Sequence, residues 1–210
     1  MLIGAHVSTA GGVEKAVGRA TDIGAECIQV FVSSPRGWAF KPIADAPAKA
    51  FRGGVRKAGL GPTLLHGIYL VATGSPDEAL AANSVESLTN HLRAAEQIGA
   101  LGLCFHPASH KGAGFDAIFD PFVARVRKVL KDAPGEAFLM LENSAGMGGH
   151  IGSKFDELGR LLKAVRSPRT AVCFDTQHAW AAGYNVASKS GLDASVADFD
   201  KHIGIGLLRA

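Results

Sequence analysis

Leu101-Gly102-Leu103-Cys104-Phe105-His106-Pro107 is an apolar run that stops on an imidazole, and Leu139-Met140-Leu141-Glu142-Asn143 is one that stops on a carboxylate. Runs of this kind recur along the whole chain. They begin at Leu2 (LIGAHV), Cys27 (CIQVFV), Pro62 (PTLLH), Leu101, Ala137 (AFLMLEN), Thr170 (TAVCFD) and Ile205 (IGLLRA), at successive offsets of 25, 35, 39, 36, 33 and 35 residues. Such offsets are the length of one strand–helix unit. The segments between the runs have helical periodicity. Over 75–98, Leu80, Val85, Leu88, Leu92, Ala95 and Ile98 keep to one stripe. Ser75-Pro76-Asp77-Glu78 supplies a cap, a first-position proline and first-turn acids for that helix. Ser153 with Asp156 opens a helix over 155–165 in the same way. Gly24, Gly59 and Gly99 each follow a helical segment, where a left-handed cap is expected.

Near-continuous apolar strands alternating with helices imply a parallel sheet covered by helices. No linker rich in Pro, Ser or Gly divides the chain, so residues 1–210 are expected to form one domain. An open doubly wound sheet and a closed (β/α)8 barrel share this alternation. The first predicted strand is followed by His6-Val7-Ser8-Thr9-Ala10-Gly11-Gly12, which does not fit the G-x-G-x-x-G of a dinucleotide-binding sheet. The predicted strands end on His6, His66, His106, Glu142 and Asp175. In a barrel such ends converge on one face, where active sites form, whereas an open sheet strings them along a row. The expected fold is an α/β, TIM-type (β/α)8 barrel.

Composition narrows the function classes. With 47% hydrophobic and 20% charged residues, the chain is neither disordered nor of low complexity. Its 22 basic and 19 acidic side chains leave a net charge of +3, which permits a nucleic-acid partner without arguing for one. The opening residues are not a secretory signal, and no apolar stretch reaches the roughly 20 residues needed to cross a bilayer. Cys27, Cys104 and Cys173 lie far apart inside apolar runs and read as small core residues of a reducing compartment. A cytoplasmic location with no membrane partner is therefore expected.

The strand ends carry the chemistry. A single histidine there is ordinarily a hydrogen-bonded polar residue. Four consecutive ends bearing His66, His106, Glu142 and Asp175, with His178 three residues further on, would be costly to bury unless paired or bound to metal. Imidazoles with carboxylates are donors for zinc and other first-row divalent ions. With no cysteine at these ends, the pattern points to an open catalytic site. It suits metal-assisted hydrolysis of a phosphodiester, or alternatively a sugar isomerase or epimerase. His91 and His202 fall within helical segments and are expected at or near the surface. His110 and His150 sit in Gly-rich loops on the presumed active face.

Four motifs identify a family. Gly4-Ala5-His6-Val7-Ser8 with Gly11-Gly12, Phe105-His106-Pro107 with Ser109-His110, Leu141-Glu142-Asn143 with Ala145-Gly146, and Asp175-Thr176 with His178-Ala179 and Ala181-Ala182-Gly183-Tyr184 resemble endonuclease IV (deoxyribonuclease IV) in register along the chain. The resemblance implies a TIM barrel with three Zn2+ ions. It implies hydrolysis of the phosphodiester 5′ to an abasic site in duplex DNA, the incision step of base excision repair, by a monomer. It assigns His66, His106 and Glu142 to the first zinc, with Glu142 bridging to the second, Asp175 to the second, and His178 to the third. It gives Arg36, in Ser34-Pro35-Arg36-Gly37-Trp38, and the pair Tyr69-Leu70 the role of entering DNA at the lesion. His6 and His110 are expected in supporting positions beside the ligands.

The family's remaining ligands, two His, an Asp and a Glu, belong to strands seven and eight. The run at Ile205 stops at Ala210, so the expectation is about six complete βα units with strands seven and eight missing. On that count only the first zinc keeps all its protein ligands, and little endonuclease activity is expected. Besides the sugar-isomerase reading, a damaged-DNA-binding remnant without activity remains a third alternative.

Overall fold

In the computed structural model, which describes residues 1–210, six strands pair in the order in which the chain supplies them, every neighbour parallel. They are β1 (Gly4–His6), β2 (Cys27–Val30), β3 (Thr63–His66), β4 (Gly102–Phe105), β5 (Phe138–Glu142) and β6 (Thr170–Cys173). The crossovers are α1 (Lys15–Asp22), α2 (Asp45–Ala58), α3 (Glu78–Ile98), α4 (Phe115–Asp132) and α5 (Phe155–Val165), followed by α6 (Thr176–Ala181) and α7 (Lys189–His202) after β6. A doubly wound sheet reverses its strand order at a switch point. This sheet never reverses, which is the order of a barrel wall. The seventh apolar run forms no strand. Ile205–Leu207 is a 3-10 turn, and Leu208 makes one parallel bridge to Val172 beside β6.

Side chains alternate across each strand, and the two faces have different fates. Leu65, Leu103, Phe105, Leu139, Leu141 and Val172 point outward into the main core against the helices. Cys104, Met140 and Ala171 point inward into a smaller cluster, with Leu64, Phe138 and Cys173 packed on it. By the same parity His66 and Glu142 project inward from β3 and β5. The registers Leu65↔Leu103, Phe105↔Leu141 and Glu142↔Cys173 bring these ends to neighbouring levels. The barrel mouth is thus set by strand parity and register.

Helix ends correct the sequence reading in two places. α3 begins at Glu78, not Ser75, because Asp77 Oδ1 accepts from Leu80 N at 3.0 Å and serves as its cap. Ser75 Oγ instead accepts from Asp77 N at 3.1 Å, one turn earlier. Ser153 does not cap α5. Lys154 is in the cap position with no side-chain bond, and the Glu157 carboxylate reaches back to Gly152 N at 2.8 Å. Gly24, Gly59 and Gly99 take φ of 69°, 65° and 70°, the left-handed conformation expected after a helix. No helix is long and apolar enough to cross a membrane.

His202 is half-buried against Asp198, as expected, but His91 is not a surface residue. It is 2% exposed, and its ring packs on Phe40 with centroids 5.0 Å apart. Its Nδ1 donates to the Ser87 carbonyl at 2.7 Å, so its Nε2 is left to accept from Ser33 Oγ at 2.8 Å. Burial pushes this imidazole below its ordinary value, with the Ser87 carbonyl pulling the other way. The folded pKa therefore lies below the unfolded one, and between the two it is the unfolded chain that takes up the proton. The stability contributed by neutral His91 is complete above about pH 6.5 and is lost as the pH falls below that value. His91→Gln, which keeps an acceptor but does not titrate, should flatten the fall in thermal midpoint between about pH 7.5 and about pH 5.5. An unchanged slope would show that protonation of His91 plays no part in acid destabilisation.

Candidate functional site

Glu142, a residue 4% exposed, closes β5 at the mouth of the barrel. Its two oxygens face different partners. Oε2 lies 3.3 Å from His66 Nε2 and accepts from Cys104 Sγ at 3.0 Å. Oε1 lies 3.2 Å from His106 Nε2 and 3.1 Å from His178 Nδ1. Asp175 Oδ2 stands 3.7 Å from the same His178 nitrogen. Five of the residues singled out from sequence therefore converge on one cleft of about 620 Å³, whose wall also includes His6 and Tyr69. A groove of about 670 Å³ between α3 and α4 is slightly larger, but Arg125 in its wall is already paired with Glu78 and no donor cluster faces it.

Local structure explains each placement. His66 ends β3, and its Nδ1 donates to the Gly67 carbonyl at 2.7 Å, which fixes the ring. Asp175 caps α6 through Oδ1, accepting from His178 N at 2.7 Å, so one helical turn brings the His178 ring alongside. Asn143 ties the ends of β5 and β6 together: its amide donates to the Asp175 carbonyl at 2.9 Å and accepts from Asp175 N at 2.7 Å. Asn143 and Cys104 are the participants that the sequence reading missed. Cys104 is a fully buried core residue, as expected, and it lies two positions before His106 on the same strand face, with its thiol against Glu142. Cys27 and Cys173 are only partly buried, and Cys173 lines the cleft.

The electrostatics centre on Glu142. Burial pushes its carboxyl upward, but hydrogen bonds from His106 and His66, the charge of His106 and the Cys104 thiol together hold it well below the usual carboxylate range. Burial would likewise lower the His106 imidazole, yet the Glu142 carboxylate and then Asp175 outweigh it, and the net shift is upward. His6 is lowered by burial and then by the neighbouring His66. It stacks on Phe31 with centroids 4.5 Å apart and lines the cleft without touching Glu142. His110 is not beside the ligands. Its Nδ1 accepts from Gly112 N and Gly114 N, and its ring lies so close beneath Gly149 that a Cβ there would come within 2.5 Å. It shapes the loop pair joined by the Ser109–His150 bridge.

The donor chemistry fits a divalent cation. His66 Nδ1 is engaged by the Gly67 carbonyl, so Nε2 is the ring nitrogen turned toward Glu142, 3.3 Å from Oε2. Donors on a tetrahedral zinc lie about 3.3 Å apart, close to the spacings of His66 and His106 from Glu142, while His178 Nδ1 donates to the Asn143 carbonyl at 3.0 Å as well as facing Oε1. His66, Cys104 and Glu142 form one triad, and His106, Glu142 and His178 form another, each with its donor atoms within 4.8 Å of one another. A carboxylate shared by two triads is the arrangement of a bridging ligand. His66 faces one oxygen of Glu142, and His106 and His178 face the other.

The DNA-entering candidates occupy turns on the rim. Gly37 N donates to the Ser34 carbonyl at 3.3 Å, closing a turn that presents Arg36 to solvent. Val71 N donates to the Ile68 carbonyl at 3.2 Å, closing a second turn on which Tyr69 is 56% and Leu70 36% exposed. The two turns are joined by Tyr69 N donating to the Pro35 carbonyl at 2.9 Å. The Tyr69 ring lies 5.7 Å from the His66 ring and 6.1 Å from the His106 ring.

Residues 17–206 match the family model of the xylose isomerase-like TIM barrel. A protein named "Probable endonuclease 4" from Halothermothrix orenii is 39% identical over 210 residues, spanning 100% of this chain and 76% of that protein. A protein of the same name from Methanoculleus marisnigri is 38% identical over 211 residues, spanning 100% of this chain and 75% of that protein. The crystal structure of endonuclease IV from Thermus thermophilus superimposes with a TM-score of 0.88 at 32% identity, over 99% of this chain and 74% of that one. A D-tagatose 3-epimerase-like protein superimposes with a TM-score of 0.70 at 16% identity, over 99% and 76% of the two chains, a likeness of fold alone. The fold is therefore a TIM barrel, here with a six-stranded parallel sheet.

Replacing the shared carboxylate tests the cation reading directly. Glu142→Gln keeps the shape and removes the charge that both triads face. Zinc affinity, measured by competition with a chromophoric chelator, should fall on the order of 100-fold or more, since even residues behind the ligands are worth 10- to 100-fold. Affinity equal to that of the unaltered protein would remove Glu142 from any metal site.

Proposed function

Because this chain belongs to the endonuclease IV family, we propose that it is a zinc-dependent nuclease of DNA repair that hydrolyses the phosphodiester 5′ to an abasic site in duplex DNA. Water adds to phosphorus, the bond to the 3′ oxygen breaks, and that oxygen leaves with a proton. The products are a 3′-hydroxyl and a 5′-deoxyribose phosphate. His66, His106, Glu142, Asp175 and His178 hold the ions. Bound zinc supplies Lewis-acid stabilisation of the scissile phosphate and activation of water.

One observation carries this reading. The Tyr69-Leu70 turn is exposed rather than packed on the rim, and the Tyr69 ring stands against the rings of His66 and His106. An aromatic–aliphatic pair is suited to fill the gap left by a missing base and to hold a kinked duplex. Arg36, tied to Tyr69 through the Pro35 carbonyl, adds a cation for the backbone or an exposed base. The lesion is then read one ring away from the groups that act on the adjoining phosphate. Glu142 contributes by remaining ionised at working pH, and Asn143 by holding Asp175 against β5.

Binding and incision of an abasic duplex, compared with an undamaged duplex of the same sequence, test the proposal. The abasic duplex should bind more tightly, and any incision should fall on its 5′ side. Arg36→Ala and Tyr69→Ala should each cost about 1–3 kcal/mol of that preference, the scale of base stacking on aromatic side chains, and leave zinc content unchanged. Equal binding of the two duplexes, or epimerisation of a keto sugar in place of incision, would overturn it.

A further inference from the structure

The connection from β2 to α2, residues 31–44, has no regular secondary structure, although connections of that length are uncommon in a packed domain and usually serve a function. It is nevertheless tied down at several points. Thr9 Oγ1 donates to the Phe31 carbonyl at 2.7 Å, and Gln97 Nε2 donates to the Ile43 carbonyl at 2.7 Å. Between those ends the segment 34–39 projects, with Ser34, Arg36, Trp38 and Ala39 exposed. Its two flanks, Ser33 and Phe40, both rest on one buried side chain, His91 of α3.

We propose that His91 is the positioning residue for this projection and, through it, for the discrimination of damaged from intact DNA; the second clause rests on the function proposed above. His91 clamps both flanks at once. The Ser87 carbonyl requires a proton on Nδ1, so Nε2 must accept, and the Ser33 hydroxyl must donate. The direction of every bond in the chain Ser87–His91–Ser33 is thereby determined. The Phe40 ring closes the other flank by packing on the imidazole. Arg36 is thus held on its turn before any DNA arrives, and little further ordering is required on binding. His91 itself lies on a helix outside the barrel wall and belongs to neither donor triad.

Three variants test this clamp. Ser33→Ala removes the donor with a minimal change of shape, His91→Phe keeps a ring against Phe40 but has no acceptor, and His91→Gln restores an acceptor. Ser33→Ala and His91→Phe should each weaken binding of the abasic duplex roughly tenfold, the scale of immobilising one or two side chains, with undamaged-duplex binding and zinc content little changed. The double variant should be no worse than either single one, because both remove the same bond. His91→Gln should bind like the unaltered protein. Full abasic binding by Ser33→Ala, additive losses, or equal losses on both duplexes would overturn the proposal. Amide hydrogen exchange gives a readout independent of DNA: amides of 34–39 should exchange faster in Ser33→Ala and His91→Phe than in the unaltered protein. If the unaltered protein shows no preference for the abasic duplex, the proposed function fails, and exchange alone still decides whether His91 clamps the loop.

Discussion

An ionised carboxylate on a residue 4% exposed, at the end of a barrel strand, is the constraint around which the mouth of this molecule is arranged. A buried charge of that kind is tolerated only when other groups compensate it. Glu142 is met on one oxygen by His66 and the Cys104 thiol, and on the other by His106 and His178. These residues come from the end of β3, from β4 and the position after it, and from the helix after β6, so the compensation also ties β3, β4, β5 and the β6–α6 junction together. Donor spacings near those of a tetrahedral ion make a cation the natural completion of the arrangement.

The sheet makes that convergence possible. Parallel strands in sequential order present all their C-terminal ends on one face. Strand alternation then sends every second side chain inward, so the apolar layer of Cys104, Met140 and Ala171 lies beneath the polar layer that includes His66 and Glu142. The polar layer rests on a dry one, which excludes water from below and keeps the carboxylate's interactions strong. Asn143 and the Asp175 cap extend the same logic past the end of β6, where strand geometry no longer holds the side chains.

The rim is organised differently. Arg36, Tyr69 and Leu70 lie on turns, and turns are held by point contacts instead of ladders. Here those contacts reach outward to α3 through His91 and Gln97, and across to one another through Tyr69 N and the Pro35 carbonyl. The helical layer therefore does more than cover the sheet: it supports the loops over the cleft.

The alternation of apolar runs with helical segments, the titratable residue at the end of five of them and the family motifs were all legible in the amino-acid sequence. They depend on local periodicity, which survives in one dimension. The helix caps were legible only in part, since Ser75 and Asp77 are both acceptable caps and the backbone selects between them. What the tertiary structure alone decided is who faces whom. It placed His66 and His106 on opposite oxygens of Glu142, set the buried Cys104 thiol against that carboxylate, sent His110 beneath Gly149 and buried His91 against Ser33 and Phe40. Those outcomes depend on register between strands and on contacts between residues as far apart as Ser33 and His91. Such pairings are settled by packing in three dimensions, and no local pattern of residues records them.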